Sequence, residues 1–494
     1  MQVRNFIGGK WVDASSEKKF ISLNPADKRQ IVAEAPLSLR EDVDRAVTSA
    51  REAFPAWRSL PAPRRGEILF RAGELLLREK RRLGELVTRE MGKVLGEGLG
   101  DVQEAVDMAF YMAGEGRRMQ GETVPSELPD KDCKSFREPH GVVALITPWN
   151  FPTAIPAWKI CAALICGNTV VFKPSSDTPA SAAALVQILE EAGVPAGVLN
   201  MVCGSGAEVG EYLATHEGID AVSFTGSCAA GERLEGLLGR MHRPLATEMG
   251  GKNAIIVMDD AELSLALEGV LWGAFGTSGQ RCTAASRVIV HEKVYEAFTD
   301  MLTRAAAGLR VGDGLLETTD MGPIINEQQF NKVLDYIRIG SDEGALLVAG
   351  GRPVTAGDCT HGFFIEPTVF ANVTPTMRIA QEEIFGPVLS AISCSSFDEA
   401  IRIVNAVPFG LSSAIYSRNV NTTAKAEHEL KSGIVYVNAS TIGAEIQLPF
   451  GGWRHSGSGH PEAGGRGGAL DFYSRIKVVY RDYSGRLQKA QIDK

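Results

Sequence analysis

The stretch "GVVALITPWNFPTAIPAWKICAALICGNTVVFKP", residues 141–174, decides the fold. "GVVALITP" reads as a short strand with no polar alternation, "AWKICAALICG" as a helix ending on Gly167, and "NTVVFKP" as a second apolar strand. A strand that is apolar on both faces must be covered on both, which is the situation of a parallel sheet between helices. The pattern continues outward. "SDTPASAAALVQILEEAG" predicts a helix with a Ser/Asp/Thr cap, Pro179 near its start and Gly193 at its end. "GVLNMVCG" and "DAVSFTG" read as strands, with the helix "SGAEVGEYLATHEG" between them. This alternation predicts an α/β, doubly wound sheet of the nucleotide-binding type.

Upstream, residues 40–120 read as helical. "REDVDRAVTSAREAFPAW" has apolar positions at helical spacing, and "PAPRRGEILFRAGELLLREKRRLGELVTREMG" opens on prolines and closes on Gly92. Residues 124–140 are polar and strand-like, an excursion from the main body. Downstream, "NAIIVM", "ASRVIV" and "ALLVAG" belong to a second strand–helix series that begins near 252 and runs to about 440. The tail "YSRIKVVYRDYSG" reads as an amphipathic strand, whose partner is either the excursion or another chain.

The chain of 494 residues is too long for one ordinary core and predicts two or three domains. Its 44% apolar and 22% charged content is that of a packed globular protein. The net charge is −9, with both signs mixed along the length. No basic stripe points to nucleic acid and no polybasic run to a membrane surface. The N-terminus lacks a signal-peptide apolar core, and no apolar run is long enough to span a bilayer, so a cytoplasmic location is expected. The eight cysteines are scattered without a CxxC pair, and are expected reduced and mostly buried. The eight histidines form neither HExxH nor a Cys/His cluster, and no metal is expected.

Four places carry chemistry. Cys282, in "GTSGQRCTAASRVIV", sits among small and polar residues. It is either a buried structural thiol or a nucleophile, and Arg281 beside it could favour the thiolate. Glu248, in "LATEMGGKNAIIVM", is either a turn carboxylate or a general base whose pKa is raised by partial burial. Asn150, in "ITPWNFP", follows a buried strand, where doubly wound sheets place ligands. It is either a turn residue or an amide donor for an oxyanion. In "FTGSCAAG", Gly226 and Gly231 would let a backbone approach a pyrophosphate at a helix N-terminus. Neither a GxGxxG after the first strand of the sheet nor a P-loop is present.

Taken together, "TPWNFP", "VVFKPSSDTP", "FTGS", "EMGGKN", "GQRCTAASR", "EEIFGPVL" and "LPFGG", spread in this order over residues 147–452, resemble the NAD(P)-dependent aldehyde dehydrogenase superfamily. The resemblance covers nearly the whole chain. It implies an NAD(P)-binding domain from residues 1–120 and 141–250, a catalytic α/β domain from 251–450, and a small β oligomerisation domain from 121–140 and 468–494. The last would join subunits into a homodimer or homotetramer. The resemblance makes Cys282 the nucleophile and Asn150, with the Cys282 backbone N–H, the oxyanion donors. It makes Glu248 the residue that activates water. Glu383 would bind the nicotinamide ribose, with Phe385 packed nearby, and Lys173 the adenosine ribose. Gly226 and Ser227 would touch the pyrophosphate, and Trp149 would line the same cleft. The segment "SGSGHPEAGGRGG" departs from the family's "SGxGRExG" at His460 and Pro461, which puts its local backbone in question.

Substrate and cofactor preference follow less directly. "NFPTAIPAWKICAALICGNTVVFKP" and "TIGAEIQLPFGG" resemble bacterial and archaeal members assigned to 2-oxoglutarate semialdehyde (2,5-dioxopentanoate). Many semialdehyde members carry an arginine where this chain has Trp158. Trp158, Phe151 and Phe450 suggest an aromatic tunnel suited to uncharged aldehydes. Arg281 would hold a substrate carboxylate or only pair with a nearby acid. The alternatives are therefore a 2-oxoglutarate semialdehyde enzyme, a broad-specificity one, and a CoA-acylating one. NAD-strict members commonly carry a glutamate three residues after the lysine matching Lys173. Ser176 stands there, so NADP is expected to be tolerated or preferred. The competing reading has Asp177 take over that carboxylate's task, although Asp177 also reads as a helix cap.

Overall fold

The computed structural model describes residues 1–492. The last two positions of the expected oligomerisation segment lie outside the described residues. Two seven-stranded sheets dominate. The first runs β11 (Leu245–Glu248), β10 (Ala221–Thr225), β7 (Val142–Ile146), β8 (Thr169–Lys173), β9 (Leu199–Met201), β1 (Asn5–Ile7), β2 (Lys10–Val12). Strands β11 to β9 are parallel, and β1 and β2 add an antiparallel edge that the sequence pattern did not predict. The second runs β14 (Leu346–Ala349), β15 (Thr368–Ala371), β16 (Val388–Cys394), β13 (Ala285–His291), β12 (Asn253–Val257), β18 (Ser412–Tyr416), β19 (Ile434–Val437). Smaller pairs are β3 (Lys19–Asn24) with β4 (Asp27–Pro36), and β17 (Phe409–Gly410) with β20 (Trp453–Arg454).

The unbroken apolar strands do what their pattern requires. Val143, Leu145, Val170 and Phe172 enter one core, while Val142, Ala144, Ile146 and Val171 enter another on the opposite face. In the second sheet Ile256 and Ile289 face one way and Ile255, Val257, Val288 and Val290 the other. Period-two alternation here separates two buried layers, not core from solvent.

The helices preceding the first sheet are α1 (Arg40–Ser59), α2 (Ala62–Arg78), α3 (Lys80–Met91) and α4 (Leu95–Glu115). The single helix read over residues 61–92 is in fact two, broken at Glu79 (φ −92°, ψ 4°) with neither Gly nor Pro to mark the break. α5 (Ala154–Ile165) and α6 (Pro179–Glu191) follow, then the short α7 (Glu211–Thr215), α8 (Cys228–Gly239) and α9 (Leu263–Phe275). The Ser/Asp/Thr cap expected for α6 is not the one used. Thr178 makes no side-chain cap bond. Instead the Ala180 and Ser181 N–H groups donate to Glu90 of α3 at 2.7 Å each. Asp177 accepts from the Asn326 amide at 3.0 Å.

The excursion and the tail pair with one another. β6 (Lys131–Pro139) lies between β5 (Thr123–Pro125) and β21 (Ser474–Asp482), antiparallel to both. All eight cysteines are free thiols, and Cys133, Cys161, Cys166, Cys203 and Cys394 are buried. No described helix is long and apolar enough to cross a membrane.

Candidate active site

The C-terminal ends of β7, β8, β10 and β11 deliver Asn150, Lys173, Gly226 and Glu248 to one edge of the first sheet. Cys282 approaches from the other side, in the loop between α9 and β13. That loop makes a tight left-handed turn through Thr277 (φ 52°), Ser278 (φ 55°) and Gly279 (φ 69°). The first two are non-glycine residues in a costly region of about 1–3 kcal/mol each, so something must hold them. Glu97 of α4 accepts from the Thr277 N–H at 2.8 and 3.0 Å, and the Ser278 hydroxyl donates to the Gly322 carbonyl at 2.7 Å. Beyond Cys282, the Asn253 amide donates to the Cys282 and Ala284 carbonyls at 2.7 and 3.0 Å.

Two cavities meet at Cys282. One is a cleft of about 350 Å³ whose walls include Trp149, Asn150, Lys173, Gly226, Ser227, Glu383 and Phe385. The other is a narrow tunnel of about 50 Å³, whose walls include Phe151, Trp158, Glu248, Arg281, Phe450 and Glu462. Cys282, Ile155, Thr225 and Met249 belong to both.

In the cleft, the Trp149 and Phe385 rings meet edge to face at 5.4 Å. Phe385 is itself left-handed (φ 60°), with its carbonyl and that of Ile384 held by the Gln329 amide at 2.8 and 2.9 Å. Glu383 accepts from the Gly251 N–H at 3.0 Å, and burial raises its pKa. A side chain on Gly250 would run into that carboxylate. Lys173 is buried, donates to the Pro174 carbonyl at 2.8 Å, and is held down to about 8 by burial. Ser176 turns its hydroxyl to the Gly204 carbonyl at 3.0 Å, and it is Ser175 that lines the cleft. The volume suits a cofactor-sized ligand, and the N-terminus of α8, capped by Ser227, opens onto it.

The tunnel is charged as well as aromatic. Trp158 and Phe450 pack edge to face at 5.4 Å. The Phe151 ring lies 3.7 Å from the Lys93 ammonium and 5.3 Å from the Arg281 guanidinium. The Arg281 guanidinium is tied to groups other than the neighbouring thiol. It donates to Glu97 at 2.9 Å and to the Thr277 hydroxyl at 2.8 Å. The Cys282 thiol is instead pushed up to about 12 by burial, then by the carboxylates Glu248, Glu462 and Glu383, while the Thr283 N–H opposes. Glu248 is buried, accepts from the Gly452 N–H at 3.0 Å through one oxygen, and has no partner on the other. Burial, then Glu462, raises its pKa well above the usual carboxylate range. Asn150 donates one amide hydrogen to the Gln280 carbonyl at 3.2 Å.

Glu462 was not singled out in the sequence. It bonds the Lys159 ammonium and the Thr225 hydroxyl, and Lys159 also donates to Ser223 at 2.6 Å. It lies directly after His460 and Pro461, where the sequence leaves the family pattern. His460 packs tilted against Phe472 with ring centroids 5.4 Å apart, and the Glu462 N–H donates to the Phe450 carbonyl at 2.8 Å, so the segment is anchored on both sides. Glu104, Gln329 and Lys332 were also missed. Each is an ordinary polar residue with no local motif.

The model of the aldehyde dehydrogenase family matches residues 11–479. An alpha-ketoglutaric semialdehyde dehydrogenase of Bacillus subtilis is 44% identical over 96% of this chain and 97% of its own. A solved 3,6-anhydro-L-galactose dehydrogenase in complex with NADP superimposes with a TM-score of 0.93 at 34% identity, over 97% of this chain and 100% of its own. A betaine aldehyde dehydrogenase of Staphylococcus aureus in complex with NAD+ gives 0.95 at 33%, over 98% and 96%.

Proposed function

The chain belongs to the aldehyde dehydrogenase family, and we propose that it oxidises 2-oxoglutarate semialdehyde to the dicarboxylic acid with NAD or NADP, through a thioester on Cys282. The observation that carries this is the meeting of a cofactor-sized cleft and a narrow tunnel at one thiol, with Glu248 in the tunnel wall. Likeness to the semialdehyde relative supports the substrate, and Arg281 in the tunnel wall offers a cation to its carboxylate.

The residues that would hold the dinucleotide are Lys173 at the adenosine end, Gly226 and Ser227 at the pyrophosphate, and Glu383 and Phe385 near Cys282. When bound, the dinucleotide supplies the hydride acceptor. Neutral serines stand at 175 and 176, and the nearest carboxylate, Asp177, is already engaged by Asn326 and Ser175, which would weaken its repulsion of a 2′-phosphate.

The chain's own residues do the rest. A thiol held near 12 is protonated at neutral pH, so it must lose its proton to attack. Glu248 faces the same tunnel with one oxygen unpaired and a raised pKa, which suits it to accept that proton. The second Asn150 N–H and the Cys282 N–H hold the oxyanion. With the acyl group on sulfur and the first proton passed on, Glu248 takes a proton from water, whose oxygen attacks the thioester carbon. The C–S bond breaks, the thiolate takes that proton back from Glu248, and the acid is released. Glu462, bonded to Lys159 and Thr225, lines the same tunnel and is the neighbouring acid to which the first proton would pass.

The test is Glu248→Gln. It should give one burst of reduced cofactor per active site and then stall, because an amide cannot accept the proton. Unchanged steady-state turnover would assign the base to another residue. In the same reading the β5–β6–β21 sheet joins subunits, and the two larger sheets form the cofactor and catalytic domains.

A further inference from the structure

Helix α4 sends three carboxylates to the site from one face, spaced a turn apart: Glu97, Asp101 and Glu104. The first two are committed. Glu97 pairs with Arg281 at 2.9 Å and clamps Thr277. Asp101 pairs with buried Lys93 at 3.1 Å and receives the Ala154 N–H at the start of α5 at 2.6 Å. Glu104 lines the tunnel beside Arg281, Phe151 and Trp158, and no hydrogen bond or ion pair joins it to another described residue.

This wall of the tunnel is therefore balanced except for one group. Lys93 is matched by Asp101 and Arg281 by Glu97, so an ionised Glu104 leaves one net negative charge against the substrate. A neutral Glu104 leaves none and offers an O–H donor. We propose that Glu104 sets the charge selectivity of the tunnel: neutral, it donates to the distal oxygens of an anionic aldehyde alongside Arg281, and ionised, it repels such a substrate. The inference rests on the semialdehyde reading of the same site. It names a specificity residue that neither the motifs nor the tunnel's aromatic lining indicated.

The surroundings support a titration in the working range. Burial, then Asp101, raises Glu104 to about 7, with Asp107 adding to this and Arg281 and Lys93 opposing. Tyr436 on β19 is close enough to feel its charge, and Cys282, Glu248 and Glu462 line the same tunnel, with Lys159 bonded to Glu462. Below pH 7 the carboxyl is protonated and the anionic aldehyde is favoured. Above it the carboxylate forms and the preference is lost.

The experiment is kcat/KM between pH 6.5 and 8.5 for 2-oxoglutarate semialdehyde and succinic semialdehyde, each divided by that for hexanal. The division removes the part of the Cys282 and Glu248 titrations that acts on every aldehyde alike, and Glu104→Gln separates Glu104 from any charge effect of Glu248 and Glu462 on the anionic substrates. The acid-to-hexanal ratio of the wild type should fall roughly 20-fold across this range, since kcat/KM reports the free enzyme. In Glu104→Gln, which keeps a neutral donor, the ratio should stay flat at its low-pH value. Hexanal turnover shows that the variant is folded. A wild-type ratio constant within about twofold, or the same fall in Glu104→Gln, overturns the inference while leaving the semialdehyde reading intact. Slopes with succinic semialdehyde alone uphold Glu104 and remove 2-oxoglutarate semialdehyde as the substrate. No turnover of either acid at any pH overturns both.

Discussion

The Cys282 thiol sits where the cleft and the tunnel meet, and its reactivity depends on burial first and then on three carboxylates from distant segments. Arg281, adjacent in sequence, is turned away to Glu97. With the thiol pushed up to about 12, the thiolate fraction rises tenfold for each pH unit through the neutral range. Alkylation of the dinucleotide-free protein by iodoacetamide, followed on the peptide carrying Cys282, should therefore accelerate about tenfold per unit from pH 7 to 9. A plateau before pH 9 would mean that the pocket stabilises the thiolate after all. Cys282, Glu248 and Asn150 were legible as candidates because each stands in a short motif unusual enough to notice. Glu104 and Glu462 were not, since a carboxylate on a helix or in a loop reads as solvated until the tunnel is seen.

At the scale of elements, the apolar strands and their covering helices follow from local pattern, but the joints between them do not. α6 shows why. Its sequence offers its own cap residues, yet the first turn is held by Glu90, which receives the Ala180 and Ser181 N–H groups and the Ser181 hydroxyl at 2.7 Å each. A buried carboxylate makes stronger hydrogen bonds than a neutral cap, so the tertiary partner wins. Glu90→Ala should leave two buried N–H groups unpaired, at about 1–3 kcal/mol each, and lower the melting temperature by several degrees. Glu90→Gln, which keeps one acceptor oxygen, should lose less. A melting temperature unchanged in Glu90→Ala would mean that water or Asp177 takes over the cap. Likewise α4 reads in sequence only as part of the helical stretch over 40–120, and its three carboxylates on one face acquire meaning from the loops they reach.

For the whole molecule, β21 is an edge strand that shows Ile476, Val478 and Tyr480 on one face at 56%, 54% and 68% exposure. Alternate residues share a face, and an apolar stripe on a sheet edge invites pairing with a second copy. Val478→Asp should shift the protein towards smaller species in sedimentation, whereas Glu104→Gln should not. If both sediment like the wild type, assembly uses another surface. The sequence by itself determined the doubly wound architecture, the order of its elements and the candidate nucleophile. Those rest on periodicity and short motifs, whose physics lies within a few residues. Only the tertiary structure decided which charges are paired, which thiol proton is hard to remove and which carboxyl lines the tunnel without a partner. Those depend on burial and on charges a few ångströms away, brought together from segments that no local pattern relates.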